Sequence, residues 1–347
     1  MLYLTTRDRM DAFTPQHALT KNTGRCGGRF LPYRLPVLTK QHLMELPEKS
    51  FGQRVAEVLS LFFRSHLNGW DIDFAVGRHP VRICAMNHKI AVMESWHNHE
   101  GTFQSMVDRL YRCVNESALY SEYPGVWFRI AVRIAVLSGS FSELIKAGIA
   151  ADEKPVDIAV PVNDFEGVMA AWYSRKMGLP VGTIIFSCNE NSNVWDFLHH
   201  GILDTKEKTQ QTSTPDSDRA VPQSIELLIY ETLGYEETQR FVQCCQAQKT
   251  YTIRSDQLSV LSNGLFCAVI RQPRLESIVR NVFKTNSYLM DPYTALAYGG
   301  LQDYRVASAE IGPALIVSDQ NPLTEMPAME RILGVTAAEI QKIMDAR

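Results

Sequence analysis

The stretch VDIAVPVNDFEGVMAAWYSRKMGLPVGTIIFSC, residues 156–188, decides the fold class. Its opening run, 156–162, is short, apolar and rich in β-branched residues, which suits a strand buried in a sheet. GVMAAWYSRKMG then carries helical spacing and stops at Gly178, a residue fitted to a left-handed helix cap. TIIFSC, 183–188, is a second strand-like run. Strand, glycine-capped helix and strand within about thirty residues form a βαβ unit of a parallel sheet. The class is α/β.

Working outward, RSHLNGWDIDFAV, FRIAVRIAVLSGSFSELI and IELLIYETLGYEETQRFVQCCQAQ read as further helices or buried strands. GPALIVSDQNP reads as a late strand ending in a turn. The stretch 204–224 is rich in Thr, Ser, Pro and charge and reads as a surface loop. No fixed-period repeat is visible.

Composition narrows the function classes. A chain of 347 residues fits one large or two ordinary domains. With 45% hydrophobic and 21% charged residues it is ordinary globular material. A net charge of −3 gives no basic footprint for nucleic acid. No apolar run reaches the roughly 20 residues that span a bilayer, and the N-terminus lacks the apolar core of a signal peptide. A soluble, cytoplasmic protein with neither nucleic-acid nor membrane partners is expected. The seven cysteines show no CxxC pairing and read as reduced thiols rather than a disulfide frame or a zinc site.

Residues 160–201, VPVNDFEGVMAAWYSRKMGLPVGTIIFSCNENSNVWDFLHHG, resemble the central block of threonine synthases. Those carry a Gly-Asn-Phe-Gly loop, a helix ending in Lys-Lys-Met-Gly-Leu-Pro, a strand and then Thr-Asn-x-Asn. The resemblance extends through YLTTRD, GRCGGRFLPYRLPVL, TSTPDSD and DPYTALAYGG, in the family's order and over most of the chain. It implies the tryptophan-synthase-β-like architecture of fold-type II pyridoxal-phosphate (PLP) enzymes. By the same resemblance residues 1–90 form the family's N-terminal region. Residues 91–155 form a remnant of the small cofactor-side subdomain with its following helix, the subdomain being largely deleted. Residues 156–347 form the large α/β domain. Arg129, Asn189, Asn191 and Asp218 match positions that the resemblance assigns to substrate binding.

Against that template the cofactor positions depart. The family's Glu-Leu-Phe-His-Gly-Pro-Thr-x-Ala-Phe-Lys-Asp-Phe run is met by VMESWHNHEGTFQSM, 92–106, in which Glu94, Trp96, His97 and Phe103 keep their places and Gln104 replaces the Schiff-base lysine. A delocalised amide nitrogen cannot form an imine. The glycine loop that would cradle a phosphate becomes Asn163, Asp164, Phe165 and Glu166, adding carboxylates where a dianion would sit, against the logic of an anion site. Asp319 stands where the family has a hydroxyl facing the pyridine nitrogen. No cofactor is expected, PLP least of all. Lys89 is a weak substitute lysine, since its spacing from Glu94 sets it on the opposite strand face.

Three functions follow. In the first, the chain is a pseudoenzyme that binds a small amino-acid-like ligand or a partner, as a homodimer or beside an intact paralogue. In the second, it is a PLP-independent lyase or synthase using Glu94, His97, Gln104, Asp164 and Glu166 for acid–base chemistry, with the carboxylates crowded around the old cavity. In the third, a residual PLP lyase uses another lysine. His97 and His99 have metal-ligand spacing, but no third ligand can be assigned, so no metal is expected. Asp164 and Glu166 also have a plain reading as helix-start acids.

Overall fold

The computed structural model describes residues 1–63, 67, 69–77, 81–97, 102–115, 123–150, 154–162, 165–206, 209–219 and 221–345. Strands β1 (Tyr3–Thr5), β2 (Asp8–Phe13) and β3 (Phe30–Pro32) form a small antiparallel sheet in the order β2-β1-β3, with α1 (Pro15–Thr20) in the connection. Helices α2 (Lys40–Glu45), α3 (Phe51–Phe63) and α4 (Gly69–Val76) follow, and then the hairpin of β4 (Arg82–Asn87) and β5 (Ile90–Glu94). Helices α5 (Phe103–Val114) and α6 (Val126–Lys146) lead to β6 (Val156–Pro161), α7 (Glu166–Met177) and β7 (Val181–Cys188). The remaining elements are α8 (Asn193–His200), β8 (Ile202–Asp204), α9 (Ile225–Leu233), α10 (Tyr235–Ala247), β9 (Thr250–Thr252), α11 (Ser255–Leu261), β10 (Leu265–Val269), α12 (Gln272–Asn286), α13 (Pro292–Ser308), β11 (Ala314–Ser318), α14 (Met326–Leu333) and α15 (Ala337–Asp345).

The central sheet runs β10-β7-β6-β11-β5-β4, parallel throughout except for the antiparallel edge strand β4. Alternate residues feed two cores, as a period of two requires. Ile158, Val160, Ile184, Phe186, Leu315 and Val317 pack with α3, α6 and α7. Ala159, Ile185, Val92 and Ile316 pack with α12 and α13 on the other face. Every residue of β6 is buried, which explains its unbroken apolar reading.

The βαβ reading of 156–188 is realised. Gly178 sits at φ +107, and Leu179 donates to the Ser174 carbonyl while Gly178 donates to that of Arg175. This six-to-one and five-to-two pairing closes α7 as a Schellman cap. A Cβ at Gly178 would lie 2.9 Å from the Leu38 carbonyl oxygen, so both backbone angle and space require glycine. Within their described residues the three ambiguous stretches supply helices, α4, α6 and the α9–α10 pair.

The surface-loop reading of 204–224 needs correction. Thr214 and Ser217 are buried, and Asn189 Nδ2 donates to Thr212 Oγ1 and Thr214 Oγ1, each at 2.9 Å, and to Asp218 Oδ1 at 2.7 Å. Asn191 Nδ2 donates to the same Asp218 oxygen at 3.0 Å. The polar composition belongs to an internal network that ties this segment to the end of β7, because buried polar atoms require partners. A second buried tie fastens the N-terminal sheet. Glu226 on α9 accepts from Thr6 Oγ1 at 2.5 Å and from Arg7 Nε and Nη2 at 2.9 and 2.7 Å.

Candidate functional site

A cavity of about 350 Å³ opens at the carboxyl ends of β6 and β11, where ligands enter open α/β sheets. Val160 and Pro161 close β6 there, and Val317, Asp319 and Gln320 close β11. The N-termini of α5 and α7 converge on the same place, and α6 runs along the wall. Thr102 caps α5, its Oγ1 accepting from Ser105 N at 3.1 Å, which aims the first turn of α5, and with it Gln104, at the cavity. Gln104 is exposed at the mouth and donates to Asp108 Oδ1 at 2.8 Å. Among the described residues no lysine lines this cavity. Lys89 lies in the turn before β5, at the opposite end of that strand from the site.

Two ion pairs built on α6 form the cavity wall. Arg129 contacts Glu166, its Nη2 at 2.6 Å and Nε at 3.1 Å from the carboxylate, and Arg129 Nη1 donates to the Pro124 carbonyl at 2.8 Å. One helical turn further, Arg133 pairs with Asp319, which also accepts from Ser95 Oγ at 2.5 Å. The two arginines share a helix face because their spacing is i, i+4. Arg133 also lies 4.3 Å from the Phe103 ring centroid, fastening α6 to the start of α5. Of the carboxylates expected to crowd the cavity, Glu94 stands away from it and Asp164 lies outside the described residues, which leaves Glu166 and Asp319. Glu166 and Asp319 are both buried, and each has a guanidinium against it. Arg133 went unnoticed in the sequence reading, although its spacing from Arg129 was a usable signal.

The candidate residues divide into groups. Glu166, Asp319, Arg129 and Gln104 share the cavity. Glu94 and His97 do not line it: Glu94 is fully buried, accepts from Tyr288 Oη at 2.7 Å and sits 2.7 Å from His97 Nε2. His97 stacks on Trp96 with centroids 4.2 Å apart. Asn189, Asn191 and Asp218 bond to one another in the network described above. Asn163, Asp164 and His99 lie outside the described residues. Phe165, beside them, has a left-handed φ of +65 and packs edge-on against Phe186. Among the described residues no group of three or more His, Cys, Asp or Glu is placed to hold a metal ion.

Behind the site, Trp96 Nε1 donates to Ser318 Oγ at 3.2 Å, and Ser318 Oγ in turn to Asp291 Oδ2 at 3.3 Å. Asp291 caps α13 by accepting from Tyr293 N and Thr294 N at 2.9 and 3.0 Å. Burial pushes its carboxyl up to about 6, against the opposing pull of the bonds from Thr294, Tyr293 and Ser318. The native chain thus holds this proton more tightly than the unfolded chain does. Its contribution to stability is complete below the ordinary carboxylate value of 3.8 and is lost as pH rises through about 6. Asn at this position still offers a cap oxygen but carries no charge at any pH. Relative to the wild type, Asp291→Asn should gain about 3 kcal/mol between roughly pH 4 and pH 7. Parallel urea titrations across that range check it, and a constant gap between the two proteins would rule the assignment out.

Residues 2–77 match the family model described as the threonine synthase N terminus. Threonine synthase-like 1 from Homo sapiens is 25% identical over 175 residues, covering 49% of this chain and 23% of that protein. The Mus musculus counterpart is 24% identical over 212 residues, covering 60% and 28%. The chain thus spans about a quarter of the length of these curated relatives. Among solved structures, PLP-bound threonine synthase from Brucella melitensis superposes with a TM-score of 0.84 at 18% identity, covering 96% of this chain and 92% of that one. Threonine synthase from yeast gives 0.82 at 14% identity, covering 96% and 90%. At these identities the structures establish the fold, a fold-type II α/β architecture. In the described residues no helix is long and apolar enough to cross a membrane.

Proposed function

The chain belongs to the threonine synthase family, and from that premise we propose that it is a member without PLP chemistry, a pseudoenzyme whose cavity receives a small amino-acid-like ligand. The observation that carries this reading is the cavity itself: Gln104 stands at its mouth and, among the described residues, no lysine lines it. The remaining residues fit PLP poorly. A cofactor phosphate at the start of α7 would meet the buried Glu166 carboxylate and the Phe165 side chain. The cation it would need, Arg129, is already held by Glu166. At the other wall Asp319 is committed to Arg133.

A zwitterion suits the cavity better than a dianion. Among the described residues Arg129, Arg133 and Arg219 are matched by Glu166, Asp216 and Asp319 around it, so a ligand carrying both charges exchanges with existing pairs instead of adding an excess. The acid–base alternative has less support. Glu94 and His97 face each other and Tyr288, and the cavity lining includes neither.

Spectroscopy tests the proposal. Wild-type protein incubated with excess PLP should develop no imine band in the visible region and no borohydride-stable adduct on peptide mapping. Gln104→Lys should form at most a weak adduct, because Glu166 still holds Arg129. A stoichiometric adduct on one lysine of the wild type would end the cofactor-free reading.

A further inference from the structure

The central sheet ends in two unlike edges. At one of them β4 is guarded: its register shifts between Ala85 and Asn87, and Arg82 and Asn87 stand exposed on it. A bulge and polar side chains of this kind keep an edge from pairing further. At the other, β10 reads Leu265-Phe266-Cys267-Ala268-Val269, apolar throughout, without proline or charge and in unshifted parallel register with β7. Among the described residues no strand lies beyond it. An edge this apolar and this regular is a template for another strand.

The backbone of β10 divides by parity. The Gly264 carbonyl accepts from Ile184 N at 3.0 Å and Ile270 N donates to the Cys188 carbonyl at 2.9 Å, so even-numbered residues face β7 and odd-numbered ones face away. The Leu265 amide is taken up by the preceding turn, donating to the Ser262 carbonyl at 2.9 Å. The open side therefore presents the Leu265 carbonyl and both backbone groups of Cys267 and of Val269. They floor a groove of about 770 Å³, with Trp195, Asp196 and His199 of α8 along one side and Arg271, Arg274 and Asp303 along the other.

We propose that a second copy of this chain fills the groove, its β10 pairing antiparallel with this one about a two-fold axis at Cys267. In that register Cys267 exchanges both of its bonds with Cys267 of the second copy, and each Val269 N–H meets a Leu265 carbonyl. Each Val269 carbonyl stays with water, since the Leu265 amide opposite it is already used. A two-fold contact needs a surface that complements itself. The groove carries two aspartates and two arginines, so it has no net sign to recruit an acidic or a basic extended chain. Antiparallel pairing also sets the two Arg271 side chains at opposite ends of the ladder, roughly 25 Å apart at the usual rise of a strand, so these like charges do not meet across the axis. The groove shares no lining residue with the cavity described above, and the proposal is independent of what that cavity receives.

Sedimentation equilibrium of the full chain across a dilution series tests it. The wild type should form a dimer of about 78 kDa, twice the 39.2 kDa chain. Val269→Pro removes an outward donor and leaves the bonds to β7 in place, a position where an edge strand tolerates proline. It should raise the dimer dissociation constant roughly 10–100-fold. Hydrogen exchange identifies the face. In concentrated wild type the Cys267 and Val269 amides should be protected, and dilution should release them while those of Phe266, Ala268 and Ile270 stay slow. A monomer at every concentration, which would leave this edge to a different chain or to water, overturns the proposal. So does a dimer undiminished by Val269→Pro, or one in which the two outward amides exchange freely. Should Val269→Pro fail to fold, exchange in the wild type decides by itself.

Discussion

Arg133→Met should destabilise the protein by about 3–5 kcal/mol in urea unfolding, the cost of leaving one member of a buried ion pair without its partner. Asp319 is only 8% exposed, and without Arg133 the contact that remains for it here is the Ser95 hydroxyl at 2.5 Å. Methionine keeps much of the apolar stem over Phe103, so the loss reports charge rather than packing. The double variant Arg133→Met with Asp319→Asn should recover most of the stability, because removing both charges leaves no uncompensated ion in the wall. An Arg133→Met protein within about 1 kcal/mol of the wild type would mean that the pair behaves as a solvated surface bridge. The wall would then not be set by α6.

That pair also marks where sequence reading stops. The unit from β6 through α7 to β7 was legible because its signals are local: alternation, helical spacing and a glycine that only a left-handed cap explains. Gln104 was legible because a run of matched residues fixed its position. Arg133 and Asp319 are separated by 186 positions, and Tyr288 and Glu94 by 194. Partner choice at such distances follows from how the sheet orders its strands, with β11 between β6 and β5, and no local pattern encodes it. Carboxylates counted in sequence therefore looked like a crowd, whereas in three dimensions Glu166 and Asp319 each meet an arginine and Glu94 stands apart against Tyr288 and His97. The segment 204–224 misled for a related reason. Thr, Ser, Asn and Asp have the same composition in a solvated loop as in a buried network, and only the satisfied bonds to Asn189 and Asn191 distinguish the two.

The N-terminal sheet and the cavity wall also share a side chain whose removal should be felt in the cavity. Trp127, only 1% exposed, stands edge-on to Tyr3 of β1, Phe62 of α3 and Tyr173 of α7, with centroids 6.1, 5.7 and 5.0 Å away. Trp127→Ala should cost about 3–5 kcal/mol, since three aromatic neighbours on separate elements cannot all collapse into the space vacated. Trp127→Phe retains edge contact with some of them and should lose less than half as much. The loss should not be spread evenly. Tyr3 anchors the small N-terminal sheet and Tyr173 lies two turns along α7 from Glu166, so hydrogen exchange should quicken in β1 and in the first turn of α7. Protection in β7 and β11 should change less. Uniform exchange across all four segments would show that the N-terminal sheet and the cavity wall unfold only with the whole molecule, and that Trp127 fills volume without joining them.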